Sequence, residues 1–516
     1  MANRPGPVNL FAGLLSAAVA ALVLGTALVL AIHADSFALR PADWAALGFT
    51  LKQAALSALF ATMLAIPLAR ALARRRFAGR GAMVALMGAP FLLPVVVAVV
   101  GMLSVYGRGG IANQALAALG LPPVSIFGLQ GIVLTNVFFN LPLATRILLN
   151  GWSAIPAERF RLAETLGLPP RSILRHIELP MLRALVPGAF VVVFLLCLTS
   201  FVVALTFGAG PRATTLELAL YQALRFDFDL GRAALLAGLQ FVTCIIVVTV
   251  AGRLTLPTGF GVGQDRPGLV PSSPGWRALG DGILLALAAV FLALPLLNVL
   301  TGGLPYLADL PAPVWQAALR SLWMAVISAA LASIWGLSLA LAAARDVRAR
   351  RWIELAAMLP MAASGLVLGT GLFLILRPWT SPEALALPVT ILVNSTMALP
   401  FLYRLLLPEA EALHHGYDRL STTLGLSGLA RLRHVTLPRL ARPLGLGCGI
   451  AAALAMGDLG VIALFAGENS ATLPLVVQRL AGAYRMDLAA AASLLLVTLS
   501  FALFSICDLG GRRAAP

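Results

Sequence analysis

The hydrophobic positions of this chain fall into long, nearly uninterrupted runs, separated by shorter stretches rich in Arg, Gly and Pro. The runs are about 20 residues long, which is enough for an α-helix to cross a hydrocarbon core of about 30 Å. The pattern therefore predicts an all-α polytopic membrane protein. Its twelve predicted spans lie at approximately residues 10–32, 50–73, 82–105, 128–150, 185–207, 233–252, 279–301, 316–343, 353–376, 386–407, 443–465 and 489–507.

The second half of this pattern repeats the first. The segment RLAETLGLPPRSILRHIELP at residues 161–180 returns as RLSTTLGLSGLARLRHVTLP at residues 419–438, with 11 of 20 positions identical. Thr50 likewise has a counterpart in Ser321, and TTLEL at 214–218 has one in ATLPL at 471–475. Each half holds six spans, an even number, so both halves have the same orientation and an axis along the membrane normal relates them. We expect two parallel six-helix repeats that enclose one path.

The repeat predicts three parts of the chain. Residues 1–252 form the first repeat, with spans 1–6 and a polar loop at 151–183, here named loop 1. Residues 253–277 form a linker with scattered Gly and Pro, which we expect to be cytoplasmic. Residues 278–516 form the second repeat, with spans 7–12 and a polar loop at 408–442, here named loop 2.

The charge pattern sets the predicted orientation. The chain is 60% hydrophobic and 11% charged, with a mean hydropathy of +0.93 and a net charge of +16. With both termini placed in the cytoplasm, most of the 37 Lys and Arg residues fall at cytoplasmic ends and loops. This is the positive-inside bias, so the positive charge requires no nucleic-acid partner.

The sequence offers little catalytic chemistry. The phosphate-binding loop G-x-x-x-x-G-K-[ST] needs a lysine, and the single lysine, Lys52, lies in Leu-Lys-Gln-Ala. All four cysteines fall in apolar runs, where they are typical small packing residues. We therefore predict no catalytic residues, no metal and no cofactor, and we expect that any ATP used is hydrolysed by a separate subunit.

The two loops share a spacing that resembles a known signature. Gly167 is followed ten residues later by Ile177 and then by Leu179-Pro180. Loop 2 repeats this spacing with Gly425, Val435, Leu437 and Pro438. The spacing resembles the signature loop of binding-protein-dependent ABC import permeases, and the chain is thereby expected to have a fold like that of a type I ABC importer permease.

The resemblance implies that both loops dock on a homodimeric ABC ATPase at the cytoplasmic face. It assigns this contact to Arg161, Ala163, Glu164, Gly167, Ile177, Leu179 and Pro180 in loop 1, and to Arg419, Gly425, Val435, Leu437 and Pro438 in loop 2. The family usually has Glu six residues before the glycine, where this chain has Arg161 and Arg419. Glu158, Glu164 and Asp418 lie nearby and are candidate substitutes.

Longer segments are similar to one subfamily, the bacterial thiamine permeases. The matching segments are 93–110, 127–149, 208–236 and 456–468. The similarity implies a bacterial inner-membrane permease that translocates thiamine or its phosphate esters, delivered by a periplasmic binding protein. The alternatives are a permease for ferric iron or polyamines and, from another class, a 6+6 secondary carrier. A carrier is expected to have acidic or His relay residues in the spans of both halves, and Asp458 is nearly alone.

Candidate residues for the translocation path lie within predicted spans. An intramembrane carboxylate is costly and usually functional, which singles out Asp458, flanked by Gly457 and Gly460. An alternative interpretation is a hydrogen-bonded clamp between helices. Pro94, together with Pro90, is expected to kink span 3.

Five carboxylates on predicted outside loops are candidate contacts for the binding protein. The alternative is a solvated rim without a partner. These residues are Glu217, Asp227, Asp229, Glu468 and Asp487.

Overall fold

The computed structural model describes residues 7–34, 38–88, 93–208, 210, 213–253, 276–467 and 470–515, and within these ranges every regular element is helical. The predicted linker at 253–277 lies almost entirely outside them. In the first half the helices are α1 (Pro7–His33), α2 (Pro41–Arg74), α3 (Arg80–Leu86), α4 (Val95–Tyr106), α5 (Ile111–Ala118), α6 (Leu129–Ala154), α7 (Ala157–Thr165), α8 (Pro170–Ile173), α9 (Leu179–Leu198), α10 (Phe201–Phe207), α11 (Leu216–Arg225) and α12 (Leu230–Arg253).

The second half begins with α13 and follows a similar order of elements. Its helices are α13 (Trp276–Gly303), α14 (Ala312–Arg345), α15 (Val347–Met358), α16 (Gly365–Leu376), α17 (Ala386–Thr423), α18 (Gly428–Arg431), α19 (Leu437–Met456), α20 (Gly460–Phe465), α21 (Leu473–Gly482) and α22 (Met486–Ala514).

Eleven helical segments of the described chain are long and apolar enough to cross a membrane. The pair Val347–Ala362 and Gly365–Leu376, which is bent by 93° at a short break, makes a twelfth if it is counted as one span. The predicted all-α fold with about twelve spans is therefore confirmed.

Four predicted spans differ from single helices: span 9, which is the bent pair, and spans 3, 5 and 11. Spans 5 and 11 are interrupted: α9 ends at Leu198 and α10 begins at Phe201, while α19 ends at Met456 and α20 begins at Gly460. Pro94 does not kink a continuous span 3, because it is the residue that precedes the first turn of α4. A proline is well tolerated at such a helix start. Pro90 lies outside the described residues.

The helices form two compact units that are each discontinuous in sequence. One unit comprises Met1–Ala38, Ala219–Thr243 and Pro305–Pro516, and the other comprises Leu39–Leu218 and Cys244–Leu304. In the first, α1 packs against α14, α15 and α16; in the second, α13 packs against α4 and α2. The first helix of each predicted repeat thus belongs to the unit built mainly from the other repeat. The repeat boundaries themselves remain a prediction.

Small residues line the helix faces at the centre of each unit. Where helices pack within a membrane, such residues allow backbones to approach closely. In one unit α2 packs on α6 and α9 through a face that includes Ala54, Ala58, Ala61, Ala65 and Ala69. In the other, α14 packs on α17, and a Cβ on Gly336 would lie 2.8 Å from the Cβ of Leu402.

Helices α19 and α22 pack very closely where loop 2 ends. A Cβ on Gly445 would lie 2.6 Å from the carbonyl oxygen of Cys507, and one on Gly511 would lie 2.5 Å from the carbonyl oxygen of Ala441. Only glycine fits at these two positions. The contact also brings Sγ of Cys448 to 3.6 Å from Sγ of Cys507.

The matching helices of the first repeat, α9 and α12, are held apart. Pro187 and Val191 of α9 stand at the positions that Gly445 and Gly449 occupy on α19. Their larger side chains prevent a close approach, and an apolar cavity of about 550 Å³ lies between α2, α9 and α12. The two repeats therefore share an order of helices but differ in packing.

Candidate functional site

Loop 1 reverses direction at Gly167, immediately after α7 ends. The Gly167 N–H donates to the Glu164 carbonyl at 2.9 Å, and the Leu168 N–H donates to the Ala163 carbonyl at 2.9 Å. These two bonds form a Schellman cap, which places the glycine in a left-handed conformation, and its φ is +61°. A Cβ here would meet nothing within 4 Å. The signature glycine is therefore required by the backbone conformation and not by lack of space.

Loop 2 makes the same reversal at Gly425, which has a φ of +67°. The Gly425 N–H donates to the Thr422 carbonyl at 3.1 Å, and the Leu426 N–H donates to the Ser421 carbonyl at 2.8 Å. The preceding helix differs between the loops. In loop 2 it is α17, which continues without a break from its membrane-spanning part, whereas Pro156 separates α7 from α6 in loop 1.

After each glycine, the two loops form the same succession of elements. A four-residue helix leads into a five-residue π-helical turn, Leu174–Glu178 in loop 1 and Leu432–Thr436 in loop 2. Such π-turns occur frequently at functional sites. The signature Leu-Pro then begins α9 and α19, with Pro180 and Pro438 in the first helical turn, where no N–H partner is needed.

The interior of loop 1 is apolar. Phe160, Ala163 and Ile173 are buried together, and Ile155 and Ile177 pack against them. Ala163 was among the residues predicted to contact the ATPase; it is 2% exposed and supports the loop from within. The exposed predicted residues of the two loops are Arg161, Glu164, Gly167, Pro180, Arg419, Gly425 and Leu437, and the half-buried ones are Ile177, Leu179, Val435 and Pro438.

The interior of loop 2 is ionic at the matching positions. Asp418 stands where loop 1 has Phe160, and Arg431 stands where it has Ile173. The guanidinium of Arg431 forms an ion pair with the Asp418 carboxylate, whose other oxygen lies 2.6 Å from Nδ1 of His414. The two loops therefore keep one backbone shape with different interiors.

The three carboxylates that could substitute for the missing glutamate differ in their surroundings. Asp418 is engaged inside loop 2, whereas Glu158 and Glu164 are exposed and form no ion pair among the described residues. The side chains of Arg161 and Arg419 are also exposed. The departure at these two arginines therefore changes the loop surface and not its fold.

One buried acidic residue of loop 1 escaped the sequence analysis. Glu178 is fully buried, and its two carboxylate oxygens accept from Nε of Arg70 and Nη2 of Arg74, each at 2.7 Å. Both arginines lie at the C-terminal end of α2. The sequence did contain a signal: an acidic residue at the end of an Arg-rich segment, and two arginines one helical turn apart. However, Glu178 is over 100 residues from either arginine in sequence, so nothing pointed to their pairing.

The break between α19 and α20 contains Asp458. Its carboxylate faces the backbone N–H groups of Gly460, Val461 and Ile462, and the side chain of Asn394 on α17. The carboxylate oxygen Oδ2 is buried and has no hydrogen-bond partner among the described residues. The Nδ2 atom of Asn394 likewise has no hydrogen-bond partner among these residues, so no hydrogen bond from Asn394 closes the clamp of the alternative interpretation, and Asp458 retains one unused acceptor.

The break between α9 and α10 carries a neutral version of the same arrangement. Ser200 occupies the position of Asp458, and Asn136 that of Asn394. The Asn136 amide nitrogen lies 2.9 Å from Oε1 of Gln53 and 3.3 Å from Oγ of Ser200. An amide side chain therefore lies beside the broken span in both units, with a hydrogen bond to Ser200 in one and beside the Asp458 carboxylate in the other.

Two short helices, α11 and α21, precede the last span of each repeat. The Leu216 N–H donates to Oγ1 of Thr50 at 2.9 Å, and the Leu473 N–H donates to Oγ of Ser321 at 2.8 Å. These hydrogen bonds connect segments that the sequence comparison had matched in pairs. At ten residues each, α11 and α21 are too short to cross a membrane.

The carboxylates predicted to contact a binding protein have different surroundings. Glu217 is 2% exposed and lies on the buried face of α11, so in this structure its side chain neither belongs to a solvated rim nor is accessible to a binding protein. Asp229 accepts from the Arg232 N–H at 2.9 Å and so caps α12. Asp227 and Asp487 are exposed. Glu468 lies outside the described residues.

Comparison with known proteins supports the resemblance inferred from the loops. Residues 332–514 match the family described as binding-protein-dependent transport system inner membrane component. These residues include loop 2 and the spans around it. The chain is accordingly a multi-pass inner membrane protein, and this family implies a periplasmic binding protein and an ATPase as partners.

Several relatives match the chain over most of its length, among them three thiamine transport system permease proteins. The Brucella abortus protein is 38% identical over 96% of this chain and 94% of its own length. The Escherichia coli protein is 39% identical over 91% and 90%, and the Haemophilus influenzae protein is 32% identical over 87% and 85%. The chain therefore belongs to the binding-protein-dependent transport system inner membrane components, in the group of the thiamine transport system permease proteins.

Proposed function

We propose that this chain is the permease subunit of an ABC importer and passes thiamine, or its phosphate esters, across the inner membrane. A periplasmic binding protein delivers the substrate, and a homodimeric ATPase docks on loops 1 and 2. The observation that carries the proposal is the pair of loops, whose glycine caps, π-turns and Leu-Pro helix starts coincide. Two equivalent surfaces suit a partner with two equivalent subunits. The choice of thiamine rests on the full-length relatives.

The chain itself supplies no phosphate-binding loop, because its single lysine does not lie in one. We place the loops and both termini in the cytoplasm, where the arginines of loops 1 and 2 satisfy the positive-inside bias. Lipid surrounds the exposed apolar helix faces. Asp458 is the candidate contact for a cationic substrate, through its carboxylate oxygen Oδ2.

The proposal is tested by uptake of radiolabelled thiamine into cells that neither make nor import it otherwise. Uptake is expected only when this chain, its ATPase and its binding protein are expressed together. Ferric iron and spermidine are supplied in parallel as alternative substrates. Accumulation of either one in place of thiamine would contradict the substrate, and thiamine uptake that persists without the ATPase would point to a secondary carrier.

A further inference from the structure

Glu178 joins the end of loop 1 to the helix beside it. The carboxylate is fully buried, and both of its oxygens are used by Arg70 and Arg74, whose side chains are 29% and 12% exposed. These two arginines are one turn apart on α2, so they present their guanidinium groups on one face. We call these three residues the Glu178 joint.

The position of the Glu178 joint connects loop 1 directly to the spans. Glu178 is the last residue of the π-turn and comes immediately before the Leu179-Pro180 start of α9. Within the same unit, α2 packs against both α6 and α9. Displacing the loop from α2 would leave a buried charge without its partners, which is strongly unfavourable. Loop 1 and α2 are therefore bound to move together.

Loop 2 has no such joint. Thr436 stands at the position of Glu178 and Leu341 at that of Arg70, and only Arg345 matches an arginine, Arg74. Loop 2 has two other ion pairs: Asp418 with Arg431 lies within the loop, and Glu411 with Arg350 joins the start of the loop to α15 through side chains that are 30% and 42% exposed. Neither joins the end of loop 2 to α14. Among the described residues no carboxylate forms an ion pair with Arg345. The two loops are consequently attached to their units by different means.

We propose that Glu178 is a positioning residue that transmits the movement of the ATPase from loop 1 to α2, and that the two halves of the permease are therefore coupled unequally. The inference rests on the proposed docking of the ATPase on the loops. Glu178 touches neither the substrate nor the nucleotide. It acts through Arg70 and Arg74, which prevent loop 1 from sliding along α2 when the ATPase moves it.

The test replaces residues of the Glu178 joint by those at the matching positions of the second repeat. The double variant Arg70→Leu/Glu178→Thr reproduces Leu341 and Thr436 and keeps Arg74 in the place of Arg345. It leaves no buried carboxylate and only one arginine, Arg74, without its partner, so we expect it to reach the membrane in normal amounts. The single variant Glu178→Thr would instead leave both Arg70 and Arg74 without it. The complex with ATPase and binding protein is reconstituted in vesicles, and the thiamine transported per ATP hydrolysed is measured. We expect this ratio to fall about fivefold while hydrolysis continues.

A second variant tests the inference if the double variant reaches the membrane in amounts too low to measure. Arg70→Gln leaves Glu178 paired with Arg74, and we expect the transport ratio to fall about twofold. The control is Asp508→Asn, which removes the ion pair between Asp508 and Arg512, one helical turn apart within α22. We expect this variant to match the unmodified protein, because that pair links no loop to a neighbouring helix.

The outcomes separate the inference from the proposed function. If both Arg70→Leu/Glu178→Thr and Arg70→Gln transport as much thiamine per ATP as the unmodified protein, the joint is only structural and the inference is wrong. If the unmodified complex itself shows no ATP-dependent thiamine uptake, it is the proposed function that fails.

Discussion

Gly167 and Gly425 adopt a backbone conformation that other residues rarely take, in places where space is not limiting. A signature glycine is often attributed to close packing, but a Cβ at either position would meet nothing. The left-handed φ alone disfavours a side chain, by about 1–2 kcal/mol. The glycine thus determines the angle at which the second part of each loop leaves the first.

A substitution at Gly425 separates this conformational effect from packing. We expect Gly425→Ala to depopulate the capped loop by roughly 5- to 30-fold, which corresponds to 1–2 kcal/mol. Binding of the ATPase to membrane vesicles should weaken by a similar factor. Gly425→Asn should bind better than the alanine variant, because Asn tolerates a left-handed cap more readily.

Gly416 provides the matched control on the same helix. It is exposed within α17 and a Cβ there would also meet nothing, but its φ is not positive. Gly416→Ala should leave ATPase binding unchanged, since alanine favours the helix. Equal loss of binding in Gly416→Ala and Gly425→Ala would show that the cap conformation is not what matters.

At the scale of helices, the contact between α19 and α22 depends on glycines that leave no room for a methyl group. Gly511 lies against the backbone of Ala441, whereas a Cβ on its neighbour Gly510 would meet no atom within 4 Å. These adjacent glycines of α22 thus differ in whether they contact α19. One faces the neighbouring helix, and the other does not.

We expect Gly511→Ala to push α22 away from α19, and Gly510→Ala to leave the contact intact. The pair Cys448 and Cys507 reports the separation, because their sulfurs are 3.6 Å apart in the unmodified protein. Overpacking of this kind typically costs about 1–3 kcal/mol. Under mild oxidation the Cys448–Cys507 disulfide should form more slowly in Gly511→Ala than in the unmodified protein, and at the unmodified rate in Gly510→Ala. The loss of maleimide labelling measures this rate.

Equal disulfide rates in the two variants would contradict the described helix contact. The remaining cysteines, Cys197 and Cys244, are buried and contribute little to the labelling. Membrane abundance of each variant is measured alongside, so that a misfolded protein is not mistaken for a separated helix pair.

The spans and the loop signature could be predicted because their signals are local. A hydrophobic run identifies a spanning helix by itself, and a repeated Gly with a fixed distance to Leu-Pro identifies the loop. The repeat also matched Thr50 with Ser321, and these two residues occupy equivalent positions in the structure. Both residues hold the start of a short helix through the same hydrogen bond.

Other features depend on contacts between distant segments and could not be read from one sequence. Glu178 is one of several acidic residues near loop 1, and nothing local shows that it alone is buried against Arg70 and Arg74. The burial of Glu217 likewise follows from how α11 packs. The helix breaks before Phe201 and Gly460 lie inside long hydrophobic runs, where Ser200 and Asp458 do not lower the mean hydropathy enough to reveal a break.

At the scale of the whole chain, helix α1 belongs to the unit that contains Pro305–Pro516. Its buried face includes Ala12, Val23 and Leu30, which pack within that unit. The fit is close: a Cβ on Gly371 of α16 would lie 2.6 Å from the Cβ of Thr26. The second repeat is therefore incomplete without a helix from the start of the chain.

This arrangement predicts that the second repeat is unstable when made alone. A fragment of residues 276–516 should be degraded in membranes, because the faces of α14–α16 that pack on α1 are then uncovered. Co-expression of residues 1–253 should restore it, and co-expression of residues 39–253, which lack α1, should not. Pulse-chase labelling of the 276–516 fragment measures its lifetime in the three cases. Equal lifetimes would mean that α1 is dispensable for this unit.

The interleaved units also have a consequence for biosynthesis. The unit of Leu39–Leu218 and Cys244–Leu304 has all its parts once residue 304 has left the ribosome, whereas the unit that includes α1 must wait for the rest of the chain. At about 5–20 residues per second, α1 spends tens of seconds in the bilayer before its partner helices are made. Helix α1 is thus made long before its unit can be assembled, and a membrane-insertion factor that shelters single apolar helices would have a long task at α1.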